Sequence, residues 1–266
     1  MTEKRRLDQL LVERGLAPTR SRAQALILAG TVFSGERRLD KPGATFAADV
    51  PLDVRGKDHP YVSRGGVKLA HGLDQFKIDP RGLIALDVGA STGGFTDVLL
   101  QRGTARVYAV DVGFGQFDWK LRNDDRVVLL ERVNARHLTS AQVPEAVDLV
   151  VCDASFIGLE TVLPAPLALA KPRANLVALI KPQFEVGPDR VGKGGVVRDP
   201  ALHREVCDRV TAWLVAQGWR VLGVVESPIR GPEGNVEFLV AAERDERRST
   251  AGAQPPRDRV VRSKAK

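Results

Sequence analysis

The stretch LIALDVGASTGGFTDVLLQRGTARVYAVDV, Leu83 to Val112, decides the fold. An apolar run, Leu83 to Val88, ends in Gly89-Ala90-Ser91-Thr92-Gly93-Gly94, and Val98, Leu99 and Leu100 follow at helical spacing. A second apolar run, Val107 to Val110, stops on Asp111. Strand, glycine loop, helix and strand make one βαβ unit with a right-handed crossover. The glycines remove Cβ atoms where a ligand has to lie against the backbone, and the helix starts just behind them. Asp111 comes 17 residues after Gly94 at a strand end, where a carboxylate can accept both hydroxyls of a ribose. A cofactor containing a nucleoside is expected here.

The spacing selects among such cofactors. A dinucleotide loop reads G-x-G-x-x-G, whose tight turn admits a pyrophosphate. Here the pattern is Asp87-x-Gly89-x-x-x-Gly93-Gly94-Phe95-Thr96. It resembles the first motif of Rossmann-like methyltransferases that bind S-adenosylmethionine, a donor with no phosphate to cradle. The resemblance implies cofactor contacts from Asp87, Gly89, Ala90, Ser91, Gly93, Gly94, Phe95 and Asp111. Glycines of this kind also occur in ordinary βα turns, and the loop alone does not identify the methyl acceptor.

Further along, Arg126 to Leu130, Val147 to Cys152 and Asn175 to Ile180 read as third, fourth and fifth strands, with helical segments between them. The sheet is therefore expected to be largely parallel, and ligands bind outside the carboxyl ends of such strands. Asp87, Asp111, Asp153 and Lys181 all fall at that edge. Leu202 to Gln217 is a helix, and Trp219 to Val225 and Val236 to Ala242 are final strands. Their connection is too short for a crossover helix, which makes them antiparallel neighbours and puts Glu237 in the same cleft. The loop EVGPDRVGKGGVVRDP, Glu185 to Pro200, is long enough to be a lid or a substrate loop.

Ahead of the βαβ unit, residues 1–57 read as a compact module. Leu7, Leu10, Leu11 and Val12 stripe a short helix that stops at Gly15; Ser21 is expected to cap a second helix that buries Ala23, Leu26, Ile27 and Leu28. Short strands follow, joined by Lys41-Pro42-Gly43. This pattern, down to SRAQALILAGTV and LDKPG, resembles the αL RNA-binding module first described in a small-subunit ribosomal protein. That resemblance implies RNA contacts from Arg5, Arg6, Arg20, Arg22 and Lys41, with Arg64 beyond the linker; Arg37 and Arg38 are further exposed cations. Residues 58–62 are expected to be the linker, 63–245 the larger domain, and 246–266 a basic disordered tail.

Charge supports this division. Residues 1–60 carry 11 basic and 8 acidic side chains, 61–242 carry 21 of each, and 243–266 carry 8 and 4. The excess lies at both ends of a neutral body, as expected for docking on a polyanion. No apolar run approaches the roughly 18 residues of a membrane span. The charged N-terminus MTEKRRLDQLLVERG is unlike a secretory signal, Cys152 and Cys207 are too few for a disulfide scaffold, and no spacing suggests a metal site. A cytoplasmic protein is expected.

Lys68, Asp153, Lys181 and Glu237 thus converge from four segments. The arrangement resembles the lysine–aspartate–lysine–glutamate tetrad of FtsJ-type ribose 2′-O-methyltransferases. A desolvated lysine beside a second cation can be tuned toward neutrality, which makes Lys181 the candidate base or hydroxyl orienter. Lys68 would assist it, and Asp153 and Glu237 would position both ammonium groups; Asp153 would also face the cofactor. Taken whole, from about Lys4 to Ala242, YVSRGGVKL, LDVGASTGGFTDVLL, VCDASFIGL, LIKPQFE, GKGGVVRDP and EGNVEFL resemble the TlyA family, whose members go by haemolysin and by ribosomal RNA methyltransferase. The resemblance implies methyl transfer from S-adenosylmethionine to a cytidine 2′-hydroxyl of large-subunit rRNA, and in some members small-subunit rRNA, within ribosomal subunits. One departure is His59-Pro60-Tyr61-Val62, where some members carry a tryptophan-containing linker. A non-catalytic ribosome-assembly factor and a haemolysin are the rival classes. The nucleotide position, the oligomeric state and the sufficiency of naked rRNA are not legible.

Overall fold

The structure, a computed structural model, describes residues 4–55, 59–231 and 233–245. The tail expected over 246–266 and residues 56–58 at the domain junction lie outside the described residues. At the N-terminus, β1 (Lys4–Arg6) runs into α1 (Leu7–Glu13), which packs against α2 (Arg20–Leu28). Leu7 and Leu11 meet Ala23 and Ile27, and Val32 and Leu39 complete a small core. β2 (Val32–Ser34) pairs antiparallel with β3 (Arg37–Arg38) and with β5 (Asp53–Val54), while β4 (Thr45–Ala47) pairs with β1.

Two details of α2 differ from expectation. Thr19, not Ser21, is the N-cap, its hydroxyl accepting from the Arg22 N–H at 3.2 Å. The helix begins at Arg20, so Ser21 already lies inside its first turn. Leu28 is 71% exposed and not buried. A helix turns about 100° per residue, so the step from buried Ile27 carries Leu28 off the packed face.

The rest of the chain forms a seven-stranded sheet of β6 (Ile84–Val88), β7 (Arg106–Asp111), β8 (Val127–Glu131), β9 (Val147–Cys152), β10 (Ala170–Ile180), β11 (Arg220–Glu226) and β12 (Phe238–Asp245). The spatial order is β11-β12-β10-β9-β6-β7-β8; β12 is antiparallel to both neighbours and the other pairs are parallel. α3 (Gly65–Phe76) and α4 (Gly94–Gln101) cover one face. α6 (Leu159–Val162), α7 (Pro164–Ala168) and α9 (Pro200–Ala216) cover the other, and α5 (Trp119–Arg122) and α8 (Pro182–Glu185) are single turns. A sheet covered on both faces explains why its strands read as unbroken apolar runs. Alternation still sorts them: Leu86 and Val88 join one core, Ala85 the other.

Between β8 and β9 the expected helix is only a 3₁₀ turn, Ala135–His137, capped by Asn134. Asn134, Thr139 and Pro144 favour turns over a continuous helix, and Leu138 and Val143 fill the core from irregular backbone. The described end of the linker is held on α4: the Val62 N–H donates to Asp97 Oδ2 at 2.7 Å, and Gln101 Nε2 donates to Pro60 O at 3.3 Å. Tyr61 lies over Gly66, where an added Cβ would come within 2.5 Å of its ring.

Candidate active site

β6, β7, β9 and β10 deliver their C-terminal residues to one edge of the sheet, and β12 begins there. The β10–β12 register pairs Ile180 with Phe238, so the next step sets Lys181 against Glu237. Glu237 is 1% exposed and its Oε2 lies 2.5 Å from Lys68 Nζ, which reaches it from α3. Lys181 Nζ lies 2.6 Å from Asp153 Oδ1 and donates to Ser155 Oγ at 2.9 Å and to Asp153 O at 3.1 Å. The four expected residues therefore form two separate pairs, Lys68–Glu237 buried and Lys181–Asp153 with its carboxylate half-buried. Each carboxylate holds one lysine.

Asp87 is fully buried, and the two-residue period of β6 turns it toward the α3/α4 face with Ala85. Thr96 Oγ1 of α4 donates to its Oδ2 at 2.7 Å, while Oδ1 has no partner among the described residues. Burial, only partly offset by Thr96 and reinforced by the Asp153 charge, pushes the Asp87 carboxyl up to about 7. Asp111 Oδ2 accepts from the Ser91 N–H at 2.7 Å and its Oδ1 from the Gly113 N–H at 2.6 Å. Oδ1 also accepts from Gln116 Nε2 at 3.3 Å, so the carboxylate already organises the loop, with about one lone pair left over for a ligand.

Between these groups lies a cavity of about 660 Å³ lined by Gly89, Ser91, Asp111, Asn134, Asp153 and Phe156, among others. Its size lies within the usual range of cofactor sites, about 300–1,000 Å³. Asp111 and Asp153 line it beside one cation, Arg136, a balance that favours a cationic guest. The glycines of the motif also bring parts of the protein itself close together. An ideal Cβ on Gly89, φ +81°, would lie 2.9 Å from the Ala154 backbone, and one on Gly94 would lie 2.3 Å from Ser63 Oγ. Gly93 likewise admits Leu121 and Phe117, and Ala90 and Phe95 are buried. These positions bring segments of the protein itself together; of the motif's glycines, Gly89 also lines the cavity.

Five of the six expected RNA-facing cations sit on the N-terminal module. Arg5 bonds Glu13 at 2.9 Å; Arg6 and Arg20 both bond buried Asp8; Arg22 is exposed; Lys41 lies 3.8 Å from Glu233. Arg64, just before α3, packs against Gly30 at the end of α2. The sequence reading missed Ser155, Thr96 and Asn134 as site residues, although all three stand one to three residues past a strand end or within the glycine motif. It also passed over Phe156, 89% exposed at φ +65° on the cavity rim, its ring 5.0 Å from that of Phe184. Asn235 fastens the glycine-rich loop: its Oδ1 accepts from the Val197 N–H at 3.0 Å and its Nδ2 donates to Gly195 O at 2.9 Å. Glu185 proves structural, accepting from the Leu159 N–H at 2.8 Å and from Arg209 at 2.7 Å.

A mostly parallel sheet with an antiparallel β12, and a carboxylate-lined cavity at its C-terminal edge, define a Rossmann-like methyltransferase. The profile of the FtsJ-like methyltransferases matches residues 61–244, and that of the S4 domain matches residues 5–46. The 16S/23S rRNA (cytidine-2′-O)-methyltransferase TlyA of Mycobacterium tuberculosis is 48% identical over 90% of this chain and 90% of its own. Hemolysin A of Brachyspira hyodysenteriae is 38% identical over 88% of this chain and 98% of its own. A solved structure described as a hemolysin from Streptococcus thermophilus superposes with a TM-score of 0.72 at 41% identity, covering 92% of this chain and 90% of that one. The chain belongs to the TlyA family of FtsJ-like methyltransferases. Membership in this class implies use of S-adenosylmethionine, and the S4 domain together with the rRNA-methylating relatives implies an rRNA substrate. Among the described residues no helix is long and apolar enough to cross a membrane.

Proposed function

We propose that this protein methylates the 2′-hydroxyl of a cytidine in large-subunit rRNA, and in small-subunit rRNA as well, within ribosomal subunits in the cytoplasm. The observation that carries the reading is the Lys181–Asp153 ion pair, whose carboxylate lines a cavity suited to a cationic nucleoside, with the buried Lys68–Glu237 pair at the neighbouring strand end. S-adenosylmethionine, when bound, supplies an electrophilic methyl group on a sulfonium. Asp87, Gly89, Ala90, Ser91, Gly93, Gly94, Phe95, Asp111 and Asp153 would hold it, Asp111 at the ribose and the unpartnered Asp87 Oδ1 toward the amino-acid end. Those residues fit the group: a buried acceptor without a donor, an acidic lining and a cavity of suitable volume are all present.

Lys181 orients the ribose hydroxyl. Its Nζ donates to Asp153 O and Ser155 Oγ and stands in ion-pair contact with Asp153 Oδ1, which leaves one N–H outside these two hydrogen bonds for the ribose oxygen. The ion pair with Asp153 suits a fixed charge. Lys68, held by Glu237, adds positive potential where alkoxide charge develops. Phe156 offers an exposed ring against which the target base can stack. In this reading residues 1–57 dock RNA, 58–62 link, and 63–245 carry the chemistry. The test is incorporation of labelled methyl into purified large and small subunits, followed by mapping of the modified nucleotide. Methylation of a cytidine 2′-oxygen supports the reading; binding without incorporation would leave an assembly factor.

A further inference from the structure

Among the described residues Asp8 is the one fully buried carboxylate of the N-terminal module, and neither RNA docking nor core packing alone explains it. It lies in the first turn of α1, among Leu7, Leu10 and Leu11, and is 0% exposed. Its Oδ1 accepts from Arg6 Nε at 3.0 Å. Its Oδ2 accepts from Arg6 Nη2 at 3.0 Å, from Arg20 Nε at 2.9 Å and from Gln24 Nε2 at 2.8 Å. One carboxylate thus ties the end of β1 to two successive turns of α2. The same contacts, the Arg6 hydrogen bond foremost, hold the Asp8 carboxyl well below the usual carboxylate range.

The two guanidiniums are held but not consumed. Their side chains keep 41% and 51% of their surface, and among the described residues Asp8 is the only hydrogen-bond acceptor for either. Arg6 is gripped by its Nε/Nη2 edge and Arg20 by its Nε, so Arg6 Nη1 and both Nη groups of Arg20 lie outside the carboxylate's bonds. The cluster sums to one net positive charge. A planar guanidinium with one edge fixed presents its remaining N–H groups in a set direction, the geometry that recognises a phosphate. Ordering long side chains is a recurrent cost of binding, and here the protein has met it before the ligand arrives.

We propose that Asp8 is a positioning residue for RNA: it sets Arg6 and Arg20 as a preformed two-guanidinium clamp on a phosphodiester of the substrate. This deepens the reading that the N-terminal module docks rRNA and rests on it. The proposal makes a prediction opposite in sign to simple electrostatics. Removing a negative charge from a surface that binds a polyanion should tighten binding, whereas removing the residue that aims the clamp should loosen it.

The test is equilibrium binding of the full chain to purified ribosomal subunits across a salt series, with steady-state methylation measured in parallel. Asp8→Asn should bind roughly ten-fold more weakly, the loss of about one charge-assisted contact. It should raise KM for subunits while leaving kcat and S-adenosylmethionine affinity unchanged, and its effect should largely vanish in an Arg6→Ala/Arg20→Ala background. Arg20→Lys, at an exposed position that does not threaten folding, keeps the charge but loses the fork; it should forfeit most of what Arg20→Ala forfeits. Unchanged or tighter binding by a folded Asp8→Asn would overturn the clamp, as would wild-type binding by Arg20→Lys. Should Arg6→Ala/Arg20→Ala bind subunits normally, the RNA-docking role of these arginines falls and the clamp with it. A weak arginine double variant beside a normal Asp8→Asn sinks the clamp alone.

Discussion

At the scale of single residues, Asp87 and Lys181 carry the sharpest consequences. Burial raises the folded-state Asp87 carboxyl to about 7, against an unfolded value near 3.8. Between those values the folded protein binds the proton more tightly than the unfolded chain. This residue's stabilising contribution is therefore complete below about pH 4 and is lost as pH rises through about 7. A cationic donor group beside Oδ1 favours the ionised form. Cofactor affinity is therefore expected to increase as pH passes up through about 7, with release of a proton on binding. Calorimetry in buffers of different ionisation enthalpy reads that proton directly, and Asp87→Asn should abolish both the proton release and the pH dependence. At Lys181, a fixed-charge role predicts that alanine costs roughly 10²–10³-fold in kcat while arginine recovers part of it. Single-turnover rates on ribosomal subunits decide the matter. An inert Lys181→Arg with intact cofactor binding would return this lysine to the part of general base.

At the scale of elements, the site depends on close backbone approaches and on one tethered loop. Gly89 allows the β6 turn to lie against Ala154, next to Asp153. Alanine there meets the Ala154 backbone at 2.9 Å and a left-handed φ of +81°. The conformational penalty alone is about 1–2 kcal/mol, so the unfolding midpoint should drop by roughly 4 °C or more and cofactor affinity should fall with it; differential scanning calorimetry and titration measure the two. Asn235 is 2% exposed and joins Gly195 and Val197 to the strand that carries Glu237. In Asn235→Ala the Val197 N–H is left unpaired, a loss of about 1–3 kcal/mol for a buried donor. Trypsin should then cut at Arg190, Lys193 or Arg198 well before it does so in the parent protein, and subunit methylation should fall as the loop loses its place beside Glu237.

For the whole molecule, charge and architecture divide the labour. The body over 61–242 is balanced at 21 basic and 21 acidic side chains, while the surplus sits in the segments before and after it. Docking on ribosomal RNA should accordingly be salt-sensitive and cofactor binding much less so. Raising monovalent salt from about 50 to 200 mM should increase KM for subunits by at least ten-fold, if a handful of phosphates is contacted, with little change in the dissociation constant for S-adenosylmethionine. Equal salt sensitivity of the two would contradict a separate electrostatic docking module. The salt bridge between Lys41 and Glu233 and the packing of Arg64 at Gly30 show where the module touches the larger body.

The strands, their C-terminal polar residues and the antiparallel β12 could be read from the chain because each depends on local information. Apolar runs of strand length, glycine interruptions and connection lengths act within a few residues, and sheet geometry then sends every parallel strand end to one edge. Asp87, Asp111, Asp153, Lys181 and Glu237 were legible for that reason. Which lysine takes which carboxylate was not. Lys68 and Glu237 stand 169 positions apart, and their contact follows from the packing of α3 and the β10–β12 register. The glycines announced a tight turn, but only tertiary packing showed that Ala154 and Ser63 take part of the freed space. Nothing in the sequence singled out Asp8, and Arg6 and Arg20 read only as exposed cations. Burial is a property of the assembled surface, and only when β1, α1 and α2 close on one another does that carboxylate lose its water and take the arginines in its place.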